Sequence, residues 1–138
     1  MRLRRSGGGS GVARVLVGTD LSQTSERAVA WAADMASRYD AELLVLHVVS
    51  DSSAAAEDGL ARFAESVAGA GARTRVVVGD DPAAVIVSVA QEEDADVVVV
   101  GSIGMQGRKE FLLGNVPNRV SHNAPCTVVI VDTSRYGR

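Results

Sequence analysis

Five short apolar runs, spaced so that a helix fits between most of them, constrain this chain more than anything else in it. They are Val12 to Val17, Leu43 to Val49, Arg73 to Val78, Asp96 to Val100 and Cys126 to Val131. They read as continuous apolar stretches rather than alternating ones, which marks strands covered on both faces. Such strands run parallel, and parallel neighbours need crossover connections of helical length. The order is βαβαβαβ, then a loop with a short helix, then a last strand. It predicts an α/β domain: a five-stranded parallel sheet with helices on both faces. Ligands of open sheets of this kind bind outside the carboxyl ends of the strands. The loops to inspect are therefore 18–22, 48–53, 79–81 and 101–115.

The intervening stretches carry helix signals. Ser22 to Tyr39 has Ser22 or Thr24 to cap its start and Glu26 in the first turn, where the helix dipole favours a carboxylate. Ala28, Ala32, Met35 and Tyr39 form its apolar stripe, with Trp31 alongside. Between Ser50 and Ala70 the later part is helical, with Leu60, Phe63, Ala64 and Val67 on one face. Asp81 followed by Pro82 starts the next helix, because proline's missing N–H costs nothing in a first turn. Val85, Ile86, Val89 and Ala90 are its apolar face.

At 138 residues the chain fits one domain, and apolar residues make up 46% while aromatics make up only 4%. The core is therefore built from small and β-branched side chains. Formal net charge is −3, with 14 Lys+Arg against 17 Asp+Glu, which gives no footing for a nucleic-acid partner. The single cysteine, Cys126, has no internal disulfide partner and reads as a small hydrophobe. No apolar run reaches the roughly 18–20 residues that span a bilayer, so the expectation is a cytoplasmic protein. Residues 1–11 carry Gly7 to Gly11 and read as a flexible linker, either an expression scar or the stub of a fusion to a partner domain. The domain proper is assigned to 12–133, with a tail at 134–138.

The loop after the fourth strand is the richest in chemistry. It reads Gly101-Ser102-Ile103-Gly104-Met105-Gln106-Gly107-Arg108-Lys109-Glu110-Phe111-Leu112-Leu113-Gly114-Asn115-Val116-Pro117. Gly101, Gly104 and Gly107 can turn backbone N–H groups inward as an anion nest, and Arg108 and Lys109 add positive charge. Asn115 caps the following helix and Pro117 suits its first turn, leaving free N–H groups as an anion site. The alternative is a surface loop whose glycines only make turns. No Gly-Lys-Ser/Thr follows a strand, so this is not a P-loop.

Gly18-Thr19-Asp20 ends the first strand. Asp20 either meets ribose hydroxyls or a divalent cation, or begins the turn and caps the helix. His47 lies inside a strand without His or Cys partners at metal spacing, and reads as a structural, hydrogen-bonded histidine. His122 reads as surface. Ser102 lacks both a G-x-S-x-G context and a general base, which argues against a nucleophile.

These residues together resemble the universal stress protein family. The resemblance covers Ala13 to Asp132. It is carried by Val17-Gly18-Thr19-Asp20-Leu21-Ser22, by Leu46-His47-Val48-Val49, and by Gly101-x-x-Gly104 followed by nine residues and Gly114-Asn115. The last of these is similar to the family's G-x-x-G-x(9)-G-[S/T] signature. Ala124-Pro125-Cys126 leading into the last strand is also family-like. The resemblance implies a Rossmann-like, adenine nucleotide alpha-hydrolase-like fold, and a site for ATP, AMP or cyclic AMP, with magnesium arriving on the phosphates rather than on a protein metal centre. It implies that Asp20 meets the ribose or base, that the Val48 backbone meets adenine, and that Gly101, Gly104, Gly114, Asn115 and Val116 surround ribose and phosphates. The full candidate set adds Gly18, Thr19, Val100, Ser102, Met105, Gly107 and Arg108. The family also implies a homodimer paired through the last strand, Cys126 to Val131. One position departs from the pattern. Asn115 stands where the signature has Ser or Thr; it keeps a cap and an amide donor but loses a hydroxyl. AMP and cyclic AMP, which ask less of the distal phosphate site, fit this change more easily than ATP.

The function expected from all this is a dimeric, adenine-nucleotide-binding stress or regulatory protein that is not an enzyme. A nucleotide-free dimerisation module and a slow ATPase are the alternatives.

Overall fold

The computed structural model describes residues 11–51, 54–102 and 115–133. Five strands alternate with helices in the order β1 (Arg14–Thr19), α1 (Gln23–Tyr39), β2 (Glu42–Val49), α2 (Ala54–Ala68), β3 (Arg73–Val78), α3 (Pro82–Glu92), β4 (Val97–Gly101), α4 (Val116–Asn123) and β5 (Thr127–Val131). The strands form one parallel sheet in the order β3-β2-β1-β4-β5. The α/β reading of the sequence is thus the fold observed. Among the described residues no helix is long and apolar enough to cross a membrane.

Each central strand feeds two cores. Side chains alternate across a strand, so a continuous apolar run serves both faces at once. Val15, Val17, Leu43, Val45, Val97 and Val99 face α1 and α2. Leu16, Leu44, Leu46, Val98 and Val100 face α3 and α4, where Ala83, Ile86, Val116 and Val120 meet them. Val98 and Val99 are adjacent, point to opposite faces and are both fully buried. Full burial of such a side chain stabilises by about 1.5–3 kcal/mol.

The edges depart from the expectation that every strand is covered on both faces. In β3 no residue is fully buried, and Val78 is half exposed; in β5 only Val131 is buried, and Ile130 is half exposed. Among the described residues each of these strands has a neighbour on one side only.

Local chemistry sets the helix ends. Ser22 caps α1 by accepting from the Ser25 N–H at 3.2 Å, and Asp40 closes it in a left-handed conformation, φ 55°. Asp81 caps α3 and Asn115 caps α4, each with proline in the first turn.

The amino end of the sheet is closed by charge. Asp96 accepts from the N–H groups of Ala13 and Arg14 at 2.8 and 3.0 Å, tying the start of β1 to the residue before β4. Beside it runs a chain of ion pairs across the starts of three strands and the end of α3. Arg14 meets Glu42 at 3.1 Å, Arg73 meets Glu93 at 3.1 Å, and Arg75 meets Glu93 and Glu92 at 3.0 and 2.8 Å. Arg73 also approaches Glu42 at 3.8 Å, which joins the pairs into one network.

Candidate functional site

The carboxyl end is built differently. Strand order reverses at β1, whose neighbours are β2 and β4. The ladder between β1 and β4 stops at Val17 opposite Val99. Both strands run on. Gly18 and Thr19 keep their partners in β2, while Val100 and Gly101 keep theirs in β5. The two strands therefore part at the topological switch point, where parallel sheets receive ligands. β2 likewise outruns β1: Val48 and Val49 have partners in β3 but none in β1.

Four segments lie at this end of the sheet and form its walls. The first is the turn after β1. The Thr19 side chain is fully buried, its hydroxyl shared with Ser25 Oγ at 2.7 Å and accepting from the Leu21 N–H at 3.0 Å. The Ser22 N–H donates to Asp20 Oδ1 at 2.9 Å. Leu21 adopts φ 65°, a left-handed conformation that bulky residues avoid. The outcome is a rigid turn with Asp20 half-buried at the rim. Its Oδ2 has no partner among the described residues. Asp20 thus makes the turn, as one of its two readings holds, but Ser22 caps the helix.

The second wall is the end of β2. Val48 packs against the core shared by α3 and α4. Behind it, His47 Nδ1 lies 3.0 Å from the Thr19 carbonyl, which can only accept, so Nδ1 carries the proton. The histidine bridges β2 to the turn, in keeping with its structural reading.

The third wall is the Gly79–Asp81 turn. The Gly79 N–H donates to the Val49 carbonyl at 2.8 Å. A Cβ there would sit 2.7 Å from Val85 Cγ2, so no larger residue fits without a shift. Asp81 follows, held by Arg119 of α4, whose guanidinium keeps the Asp81 carboxyl below the usual aspartate range.

The fourth wall joins β4 to α4. Gly101 is buried. The Ser102 N–H continues the ladder to the Val131 carbonyl at 2.8 Å, and its Oγ accepts from the Thr133 N–H at 3.1 Å. That oxygen is tied to Thr133, just past the end of the last strand. Asn115 stands at φ 49°, ψ 68°, and its Oδ1 accepts from the Asn118 N–H at 3.2 Å. Val116 is buried in the same cluster as Val100.

Of the residues singled out in the sequence, Gly18, Thr19, Asp20, Val48, Val100, Gly101, Ser102, Asn115 and Val116 thus gather at one end of the sheet. Thr19 and Ser102 turn their hydroxyls to neighbouring backbone and side chains. Gly104, Met105, Gly107, Arg108 and Gly114 lie outside the described residues, as do the segments 1–10 and 134–138. Sequence reasoning missed Arg119, whose basic side chain in the first turns of a capped helix was the available signal.

A groove of about 660 Å³ lies at the opposite end, lined by Met35, Tyr39, Asp96 and Cys126 among others. Its chemistry is poor. Asp96 is engaged with backbone N–H groups, and burial, with Asp96 nearby, pushes the Cys126 thiol up and keeps it protonated. No group of three or more His, Cys, Asp or Glu side chains that could hold a metal occurs among the described residues.

Comparison with known proteins bears on this geometry. The family model of the universal stress protein family matches residues 11–132. The chain is 39% identical to universal stress protein Rv2005c of Mycobacterium tuberculosis, over 88% of this chain and 46% of that one. It therefore spans about half the length of that relative. It is 36% identical to universal stress protein Rv1636 of the same organism, over 87% of this chain and 96% of the relative. Among solved structures it resembles a universal stress protein in complex with cAMP, with a TM-score of 0.74 and 33% identity, covering 88% of this chain and 98% of the other.

Proposed function

The chain belongs to the universal stress protein family, and from that premise we propose that it binds an adenine nucleotide where β1 and β4 part. The observation that carries the reading is the β1–β4 ladder ending at Val17 and Val99 while both strands continue. On this reading the ligand sits between Asp20 on one side and Asn115 with the start of α4 on the other. Asp20 Oδ2 suits a ribose hydroxyl. The unpaired edge of β2 at Val48 suits the hydrogen-bonding rim of adenine. Of the N–H groups opening α4, Pro117 has none and that of Asn118 goes to Asn115 Oδ1, so the Val116 N–H is the one that suits a phosphate. The similar protein solved with cAMP supports the same ligand class.

On this reading cyclic AMP and AMP bind more tightly than ATP. Asn115 spends its Oδ1 on the Asn118 N–H and offers only its amide where the family signature has a hydroxyl. Magnesium would act only through the phosphates of ATP. The protein works as a cytoplasmic regulatory module, not an enzyme. It pairs with a second copy through β5, whose outer edge has no neighbour in the sheet among the described residues and whose Val128, Val129 and Ile130 are at least partly exposed.

Calorimetric titration of nucleotide-stripped protein with ATP, AMP and cyclic AMP, with and without magnesium, tests this directly. Saturable binding at micromolar or tighter affinity is expected, and it should vanish in Gly104→Val or Gly114→Val variants that keep the wild-type circular dichroism. Phosphate release from ATP no faster than that of Gly114→Val is expected too. Failure of all three nucleotides to bind would overturn the reading and leave a nucleotide-free dimerisation module.

A further inference from the structure

Arg119 sits just past the first turn of α4 and reaches across to Asp81, the cap of α3. Nη1 donates to Oδ1 at 2.9 Å and Nη2 to Oδ2 at 2.8 Å, a two-point fork between residues 38 apart in sequence. The Ala84 N–H reaches Asp81 Oδ1 only at 3.4 Å, so the guanidinium is the main partner of the carboxylate. Both side chains are partly open to water, 42% and 46% exposed, and ion pairs in that setting contribute little to global stability. A fork still fixes direction.

α4 has eight residues, too few to hold its geometry alone. Its buried contacts are Val116 and Val120, four apart and therefore on one line along the helix. Pro117, partly buried, flanks that line. The Asp81–Arg119 fork adds a contact off it that ties α4 to the cap of α3. The Arg119 N–H also donates to the Asn115 carbonyl at 3.0 Å, closing the turn that presents the Val116 N–H.

We propose that Arg119 and Asp81 are positioning residues for the nucleotide site. They clamp the start of α4 to the start of α3 in the orientation at which Asn115 and the Val116 N–H meet a phosphate. The proposal rests on the nucleotide reading above and adds a device to it.

Asp81→Asn separates this role from a direct one. Asparagine still caps a helix well, so α3 keeps its start, while the fork loses its charge. If Arg119 were itself a phosphate ligand restrained by Asp81, freeing it and removing a nearby anion would tighten binding. The positioning role predicts the opposite sign: affinity for AMP about tenfold weaker. Arg119→Gln should lose a similar factor, and the double variant should be no worse than either single one, because both remove the same contact. Arg119→Lys should fall between, since an ammonium attracts the carboxylate without the fork. Thermal midpoints should stay within a few degrees of wild type throughout. Unchanged or tighter AMP binding by Asp81→Asn, or losses that add in the double variant, would overturn the proposal. Wild-type protein that binds no adenine nucleotide would overturn the nucleotide reading first and this one with it.

Discussion

The two ends of the sheet are made of different chemistry. At the amino end Asp96 gathers the first N–H groups of β1, and six charged side chains from β1, β2, β3 and α3 pair across the strand starts. At the carboxyl end the ladder parts, and short polar side chains hold the turns: Thr19, Asp20 and Ser22 after β1, Ser102 after β4, Asn115 before α4. The first arrangement stitches strands together; the second keeps them apart while fixing their ends. One sheet thereby has an end for holding and an end for binding, and the two should fail separately.

The sharpest break should come at Asp96. Its carboxylate serves two backbone donors at once. Asp96→Ala leaves both without that partner and should cost about 2–3 kcal/mol, given the strength of hydrogen bonds to charged groups. Asp96→Asn, which keeps an acceptor, should cost less. Urea unfolding at unchanged m reads the loss, and nucleotide affinity measured well below the unfolding transition should not move. A fall in affinity matching the fall in stability would show the two ends to be one unit.

Glu93 comes next, at the centre of the ion-pair network. Hydrogen bonding to Arg73, then the charges of Arg73 and Arg75, hold its carboxyl below the usual glutamate range. A carboxylate depressed in the folded state stabilises fully above its unfolded value, about 4.3, and that contribution is lost as pH falls through the lower folded value. The thermal midpoint of wild type should therefore drop on acidification below about pH 4.3 more steeply than that of Glu93→Gln. The gap between the two at neutral pH should narrow in 1 M salt, where the Debye length is about 3 Å. A gap independent of pH and salt would assign Glu93 a packing role instead.

How much of this could be read in advance depends on the range of each interaction. Ser22, Asp81 with Pro82, and Asn115 with Pro117 announce helix starts because capping acts within three residues. The Val-rich runs announce strands because burial on both faces removes the need to alternate. The positions of Gly18, Asp20, Val48 and Gly101 at the carboxyl edge followed from strand direction alone. What escaped depends on strand order. Nothing local marks β3 and β5 as the edges, although Arg73-Thr74-Arg75 is a poor start for a strand covered on both faces. Arg119 and Asp81 are 38 residues apart, and Asp96 and Ala13 are 83 apart; both pairs meet only once the sheet is ordered. Thr19 was read with the ligand-facing residues, yet its place on the α1 side of β1 sends its hydroxyl to Ser25.

The smallest expected effect on stability is also the most discriminating test of the division between the ends. Leu21 holds φ 65°, which costs a non-glycine residue roughly 1–2 kcal/mol. Leu21→Gly removes that strain. It also removes the half-buried packing of Leu21 against the α1/α2 core and adds the backbone entropy of glycine, about 0.5–1 kcal/mol. These contributions oppose one another, so the net change in stability should stay within about 1 kcal/mol. The turn, however, loses the residue that fixes it. Asp20 Oδ1 still accepts from Ser22, but the backbone between them gains freedom that a ligand must then remove. Nucleotide affinity should fall several-fold while urea unfolding barely shifts, the mirror image of Asp96→Ala. Large destabilisation with affinity intact would mean that the strained turn serves the core, and that the carboxyl end is a second holding end.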